Sequence, residues 1–133
     1  MSQLPPEVFQ LIDAAILEDQ TFNDPTSHVL IPSEIEGKGM LRAKANGILA
    51  GIDVAKAVFH RVDQDLDFQV LLSDGANLSP GSDIASVNGS AGSILRAERI
   101  ALNFLQRMSG IASDTNAYVN AVAGYDVRIV DTR

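Results

Sequence analysis

Several features that are common in proteins are scarce or missing in this sequence. It has no cysteine, which excludes both a disulfide framework and a cysteine-based zinc site. It has fewer basic residues (10 Lys and Arg) than acidic ones (17 Asp and Glu), and its formal net charge is −7. This charge argues against nonspecific nucleic-acid binding, because binding phosphates requires a basic surface. No uninterrupted apolar run approaches the ~18 residues of a membrane helix, and the first residues lack the basic and apolar regions of a secretory signal. We therefore expect a cytoplasmic protein without nucleic-acid or membrane partners.

What is present is typical of a globular domain. The chain of 133 residues is 46% hydrophobic and 20% charged, and domains cluster at roughly 100–150 residues. A first helix is predicted after Pro5, with one apolar stripe at helical spacing: Val8, Leu11, Ile12, Ala15 and Ile16. Glu18 and Asp19 come at its end, where the helix dipole is already negative. Such acids need a cationic partner or open solvent, and solvent is the commoner answer.

Three strands and a second helix are predicted in the middle of the chain. The stretch "GMLRAKANG" alternates strictly, as in a half-buried strand, with Leu41, Ala43 and Ala45 on one face and Arg42, Lys44 and Asn46 on the other. Asp53 is placed to cap a short helix with the inner face Ala55, Val58, Phe59 and Val62. "FQVLLS" and "DIASV" supply two more strands, separated by the turn residues of "DGANLSPGS".

The last third of the sequence predicts two helices and a final strand. One amphipathic helix extends over residues 94–108, Gly110 interrupts the pattern, and a second helix continues from Ile111 and ends before Gly124. Residues 127–130 have the pattern of a buried strand and lead into Asp131, Thr132 and Arg133. Polar residues at the end of a buried parallel strand are where barrel enzymes keep their active sites. The order of elements predicts an α+β domain that leads into a further structure.

Metal and cofactor motifs are weak or missing. Asp63, Asp65 and Asp67 are spaced like the opening of a calcium loop, but Phe68 and Asp74 stand where such a loop needs Gly and Glu. An acidic, solvated turn is therefore favoured. The two histidines have no carboxylate or cysteine at ligand spacing, and the sequence has no nucleophile elbow, P-loop or dinucleotide fingerprint.

A polar cluster in the last third of the chain is the strongest candidate site. Apolar spacing explains the hydrophobic positions of "RAERIALNFLQRMSGIAS", but it does not explain the polar set Glu98, Arg99, Asn103, Gln106 and Arg107. Any surface helix needs a solvated polar face. From the pattern alone, a solvated face is favoured over a binding site.

Motifs in a fixed order along the chain point to one enzyme family. "AERIALNFLQRMSGIAS", followed by "YVNAVAG" and "VRIVDTR", resembles nicotinate-nucleotide pyrophosphorylase, also called quinolinate phosphoribosyltransferase. The acidic stretch "LEDQTFNDPTS" and the turn "NGILAG" fit the same family, so the resemblance spans nearly the whole chain. Asn23, Pro25 and Ser113 are minor departures from the family's usual residues. The family's D-T-R continues into K-T-x-P-G-x-R and the rest of a barrel, which this sequence does not include.

The resemblance implies a fold and a domain organisation. Residues 1–110 would form an α+β domain, a small antiparallel sheet sandwich with helices that is described as hammerhead-like. Residues 111–133 would supply a helix and the first strand of a truncated C-terminal α/β barrel that is otherwise absent. We expect this chain alone to be inactive, because an open site cannot position two substrates.

The resemblance also implies an activity and a set of binding residues. The family makes nicotinate mononucleotide, pyrophosphate and carbon dioxide from quinolinate and phosphoribosyl pyrophosphate, uses Mg²⁺, and forms homodimers or higher homo-oligomers. The family's arginine that matches Arg99 reaches into the site of the partner subunit, Arg133 matches a quinolinate-binding arginine, and Thr132 lies beside it. A guanidinium can hold each carboxylate of quinolinate by two parallel hydrogen bonds. No catalytic or metal-binding residue is implied within these 133 residues.

Two alternative functions remain open at this point. One is the paralogue of the same fold that occurs in molybdenum-transport operons. The other is a noncatalytic binding or dimerisation module. Barrel residues would distinguish the two enzymes, and a Lys-Thr codon pair directly after Arg133 in the coding DNA would establish the family.

Overall fold

In the described part of the chain, three helices alternate with short strands. The computed structural model describes residues 4–19 and 35–132. In chain order, the elements are α1 (Pro6–Glu18), β1 (Glu36–Arg42), β2 (Gly47–Ile48), α2 (Ile52–Val62), β3 (Asp67–Val70), β4 (Asn77–Leu78), β5 (Asp83–Ser90) and α3 (Ala91–Ala121). This mixture of helices and small antiparallel sheets confirms the predicted α+β class. None of the helices in these two ranges has both the length and the apolarity that crossing a membrane requires.

The strands form two small antiparallel sheets. The larger sheet has the order β1-β5-β3, and the smaller one pairs β2 with β4. In the larger sheet, β1 pairs with β5 from Glu36 opposite Ser90 to Leu41 opposite Ala85, and the register then shifts before Arg42. The central strand β5 is buried at four successive positions, which means that both of its faces are covered.

The core lies between the sheets, α2 and α3. Phe59 of α2 is fully buried and meets Phe68 of β3 with ring centroids 5.3 Å apart. Burying an apolar side chain of this size contributes about 1.5–3 kcal/mol. Helix α1 closes one side of the core through Ile12 and Ile16, which confirms the predicted stripe except at Leu11, where the side chain is exposed.

The predicted extent of the first strand was wrong. Strand β1 ends at Arg42, so the alternation does not extend to Ala45, which is exposed. The reason is the register shift after Leu41. Beyond it, Ala43 hydrogen-bonds to the turn before β5: its N–H donates to Ser82 O, and its C=O accepts from Gly81 N.

The predicted helix break at Gly110 was also wrong, because α3 continues without interruption from Ala91 to Ala121. One glycine inside a helix costs only about 1 kcal/mol relative to alanine, which tertiary contacts can offset. Ser109 and Ser113, on either side of Gly110, supply such contacts with the β2 segment.

The predicted final strand is not formed either. Residues 127–130 follow α3 without a regular element, and Val127 and Val130 are exposed. A strand needs a neighbouring strand for its backbone hydrogen bonds, and no strand of the described chain lies beside this segment. Arg133 and the departures at Asn23 and Pro25 lie outside the described residues.

Candidate functional site

The polar residues of the candidate site belong to helix α3. One face of this helix is buried in the core, and its other face is open to solvent. Its first turn is capped by Ser90, whose Oγ accepts a hydrogen bond from Ser93 N at 3.4 Å. Ala97, Ile100 and Ala101 are buried in the core. Since these neighbours supply the packing, the Arg99 side chain points to the surface and its guanidinium is not needed for the core.

Arg99 forms an ion pair with the end of α1. Its Nη2 lies 2.6 Å from Oδ1 of Asp19, and the side chain of Arg99 remains 71% exposed whereas that of Asp19 is 26% exposed. The expectation that solvent would surround Asp19 was therefore wrong. The pair joins the C-terminal end of α1 to the N-terminal third of α3, two segments far apart in sequence.

The other polar residues of the cluster lie on two different surfaces. Glu98, Asn103, Gln106 and Arg107 are all exposed. Glu98 and Gln106 line a groove between α3 and strands β1 and β2, whereas Arg99 does not line it. The cluster predicted from the sequence is therefore not a single site.

That groove has a volume of about 750 Å³. Its charged and amide groups come from opposite walls: Arg42, Lys44 and Asn46 on the sheet side, and Glu98, Gln106 and Asp114 on the α3 side. A smaller cavity of about 270 Å³ lies between α1 and α2, beside His60 and Arg61. Neither cavity is lined by Arg99 or Thr132.

The motifs "NGILAG" and "RMSGIAS" meet where the β2 segment crosses α3. The Oγ of Ser113 accepts a hydrogen bond from Ile48 N at 2.8 Å and donates to Ser109 O at 2.7 Å. A methyl group at Gly47 would lie 2.7 Å from the same Oγ, so glycine is needed for this close approach. These motif residues therefore hold α3 against the sheet, and Gly47, Ile48 and Ser113 also line part of the groove.

Two further contacts fix the same junction. Ser109 Oγ accepts from Ala50 N at 3.0 Å and donates to Ala50 O at 3.2 Å. Gly51 has a left-handed backbone with φ +94°, and a methyl group there would lie 2.6 Å from Met108 Sδ. Because α3 is held in this way on both sides of Gly110, the position of Arg99 relative to the sheet is fixed by the fold.

The residue that caps α2 was missed by the sequence analysis. We expected Asp53, but the helix starts at Ile52 after Gly51, and Asp53 lies inside its first turn. Asp74 caps the helix instead. Its Oδ2 accepts a hydrogen bond from Gly51 N and its Oδ1 accepts one from Ile52 N, each at 2.9 Å. The only sequence signal was an aspartate in the turn "DGAN", which any turn could contain.

The three alternating aspartates form a turn and the start of β3. Asp63 Oδ1 accepts from Asp65 N at 3.0 Å, and Asp67 Oδ2 accepts from the side chain of Gln69 at 2.9 Å. A hydrogen bond from the Ser93 side chain is the main cause that lowers the pKa of Asp63, followed by the Asp65 N–H. Within residues 4–19 and 35–132, no group of three or more acidic or histidine side chains is placed to hold a metal ion.

Two of the three predicted quinolinate-binding residues lie in the described part of the chain. Arg99 is on the surface of α3, Thr132 is exposed in the segment after α3, and Arg133 lies outside the described residues. No ion pair or hydrogen bond that the structure describes joins Thr132 to Arg99. Their role in quinolinate binding stays a prediction.

The fold and the α3 surface define an α+β module, and its exposed Arg99 lines neither of the two cavities described above. Residues 24–109 match the family model for the quinolinate phosphoribosyl transferase N-terminal domain. This chain belongs to that family, as the sequence motifs indicated.

Similar proteins cover from 74% to 100% of the chain. It is 41% identical over 101 residues to a probable nicotinate-nucleotide pyrophosphorylase of Synechocystis, which covers 74% of this chain and 34% of that protein. It is 39% identical over 124 residues to quinolinate phosphoribosyltransferase 1b of Nicotiana tabacum, covering 92% of this chain and 35% of that protein. NadC from Streptococcus pyogenes has a TM-score of 0.93 at 37% identity, covering 100% of this chain and 48% of that structure. The chain thus spans about a third of the length of these curated relatives and about half of the solved chain.

Proposed function

We propose that this chain is the N-terminal part of a quinolinate phosphoribosyltransferase. The whole enzyme would convert quinolinate and phosphoribosyl pyrophosphate into nicotinate mononucleotide, pyrophosphate and carbon dioxide in NAD biosynthesis. The observation that carries this proposal is the match of residues 24–109 to the N-terminal domain of that family. The names of the relatives agree with it.

In this proposal the described residues contribute to substrate binding. Arg99 is exposed on a helix whose position is fixed by the Ser109 and Ser113 contacts. Its planar guanidinium suits one of the two carboxylates of quinolinate, and in a homodimer it would reach the site of the partner subunit. Thr132 and Arg133 would bind the same substrate from the end of the first barrel strand. The two parts of the chain would be residues 1–110 and residues 111–133.

Mg²⁺ would enter the reaction with phosphoribosyl pyrophosphate, whose phosphates carry the charge that it neutralises. The described residues do not fit a metal site of their own, because no cluster of possible ligands occurs among them. We therefore assign the metal no ligand among residues 4–19 and 35–132. A cytoplasmic location is part of the proposal and rests on composition alone.

The proposal is tested by product formation in the full-length enzyme that contains this sequence. Purified enzyme is supplied with quinolinate, phosphoribosyl pyrophosphate and Mg²⁺, and nicotinate mononucleotide is quantified together with released carbon dioxide. We expect both products in equal amounts. Nicotinate, which lacks the second carboxylate, serves as the matched control. It should be only a weak competitive inhibitor against quinolinate. Absence of product from quinolinate would contradict the proposal and favour the molybdenum-operon paralogue or a binding module.

A further inference from the structure

Asp19 stands at the end of α1, where helix electrostatics disfavour an acid. It is the residue directly after the helix, and its backbone N–H bonds to the carbonyl groups of Ala15 and Leu17. The last turn of α1 has no basic residue, and the helix dipole places partial negative charge at this end. An acid at this position weakens α1, so the stability of α1 does not explain it.

Arg99 is the group that offsets this charge, through the 2.6 Å contact between its Nη2 and Asp19 Oδ1. The arginine is the more exposed partner, and the aspartate is anchored by its backbone hydrogen bonds to α1. Exposed ion pairs contribute little to folding stability, because water and salt screen them. The main physical consequence of the pair is therefore a restriction on where the Arg99 guanidinium can point.

We propose that Asp19 is a positioning residue for Arg99 and holds its guanidinium in the orientation that meets a carboxylate of the substrate. This inference rests on the proposed function, in which Arg99 binds quinolinate. A free arginine side chain samples many rotamers and loses that freedom on binding. An ion pair that exists before the substrate arrives removes part of this loss. Contact at Nη2 still leaves other N–H donors of the guanidinium for a second carboxylate.

The negative charge of Asp19 also has an opposite effect, because it repels a dianionic substrate. The two effects predict changes of opposite sign when the charge is removed. If positioning dominates, Asp19→Asn raises KM for quinolinate. If repulsion dominates, the same substitution lowers it. KM for phosphoribosyl pyrophosphate serves as an internal reference. In the proposed function Arg99 binds quinolinate, so neither effect should change KM for phosphoribosyl pyrophosphate.

Steady-state kinetics of the full-length enzyme test the inference with Asp19→Asn, Asp19→Glu, Arg99→Ala and the double variant Asp19→Asn with Arg99→Ala. Asp13→Asn is the matched control. Asp13 lies on α1 and forms a 2.6 Å ion pair with Arg61 of α2, which the substitution removes. For Asp19→Asn, we expect KM for quinolinate to rise about three- to tenfold with little change in kcat. Asp19→Glu should restore part of the loss, and Asp13→Asn should leave both constants unchanged.

The double variant identifies the route of the effect. If Asp19 acts through Arg99, Asp19→Asn has no further effect once Arg99 is alanine. An additive loss, an unchanged or lower KM in Asp19→Asn, or an equal loss in Asp13→Asn would each overturn the inference. Failure of the proposed function is distinguishable, because the wild-type enzyme would then form no product from quinolinate. Failure of the binding role of Arg99 would instead leave KM for quinolinate unchanged in Arg99→Ala.

Discussion

Substitution of Gly51 by alanine tests the contact between α3 and the segment that leads into α2. Gly51 has a φ of +94°, and left-handed backbone costs a residue with a Cβ roughly 1–2 kcal/mol. The new methyl group would also lie 2.6 Å from Sδ and 3.3 Å from Cβ of Met108. The sulfur can move with its flexible side chain, but the Cβ is fixed by the helix, and overpacking of this kind costs about 1–3 kcal/mol. We expect Gly51→Ala to lower the free energy of unfolding by about 2–5 kcal/mol.

Gly81→Ala is the matched control for this experiment. Gly81 has nearly the same φ, +93°, but a methyl group there would meet nothing within 4 Å. This variant should show the backbone cost alone, about 1–2 kcal/mol. Urea unfolding followed by circular dichroism gives both values, provided that the m-values agree. Adding Met108→Ala to Gly51→Ala should recover part of the difference. Equal losses in the two glycine variants would refute the reasoning, because the Met108 contact would then have no energetic weight.

Three further predictions concern the helix cap, the activity of this chain and its association. Asp74→Ala should lower the free energy of unfolding by about 1–2 kcal/mol, because two N–H groups at the start of α2 lose their acceptor; urea unfolding with no measurable loss would contradict this. The isolated chain should form no nicotinate mononucleotide, since neither described cavity includes Arg99; turnover near 1 per second, as in an ordinary enzyme, would refute it. The chain should associate with itself through the exposed Ile111, Tyr118 and Val119 of α3. Replacing Tyr118 by serine should shift sedimentation toward monomer, and a wild-type chain that stays monomeric at high concentration would count against this.

Local periodicity was sufficient for the helices and the main strands, but not for their limits. The stripe containing Ile12 and Ile16 identified α1, because both side chains face the core. At Gly110 the sequence indicated a break, but local propensity is weak there and the long-range bonds of Ser109 and Ser113 decide the outcome. The cap of α2 by Asp74 also depends on a contact between segments, which no local pattern contains.

The candidate site could also be predicted from the sequence only in part. The apolar neighbours of Arg99 were enough to predict that its side chain is exposed, and the structure agrees. The ion pair with Asp19 could not be predicted, because it depends on how α1 packs relative to α3. The arrangement of residues 127–132 could not be predicted for a different reason. A strand at that position depends on neighbouring strands, and the described chain supplies none.

The central claim is that Arg99 of this domain binds the substrate of a quinolinate phosphoribosyltransferase, and kinetics beside thermal melts of full-length Arg99→Ala test it most directly. Losing one charge-assisted contact in a desolvated site should cost about 2–4 kcal/mol, which is a loss of roughly 30- to 1000-fold in kcat/KM for quinolinate. The melting temperature should change little, because the guanidinium is exposed and makes only a surface ion pair. Arg99→Lys should recover only part of the activity, since it keeps the charge but not the planar, two-pronged geometry. An unchanged kcat/KM together with a lower melting temperature would contradict the account and make Arg99 a structural residue.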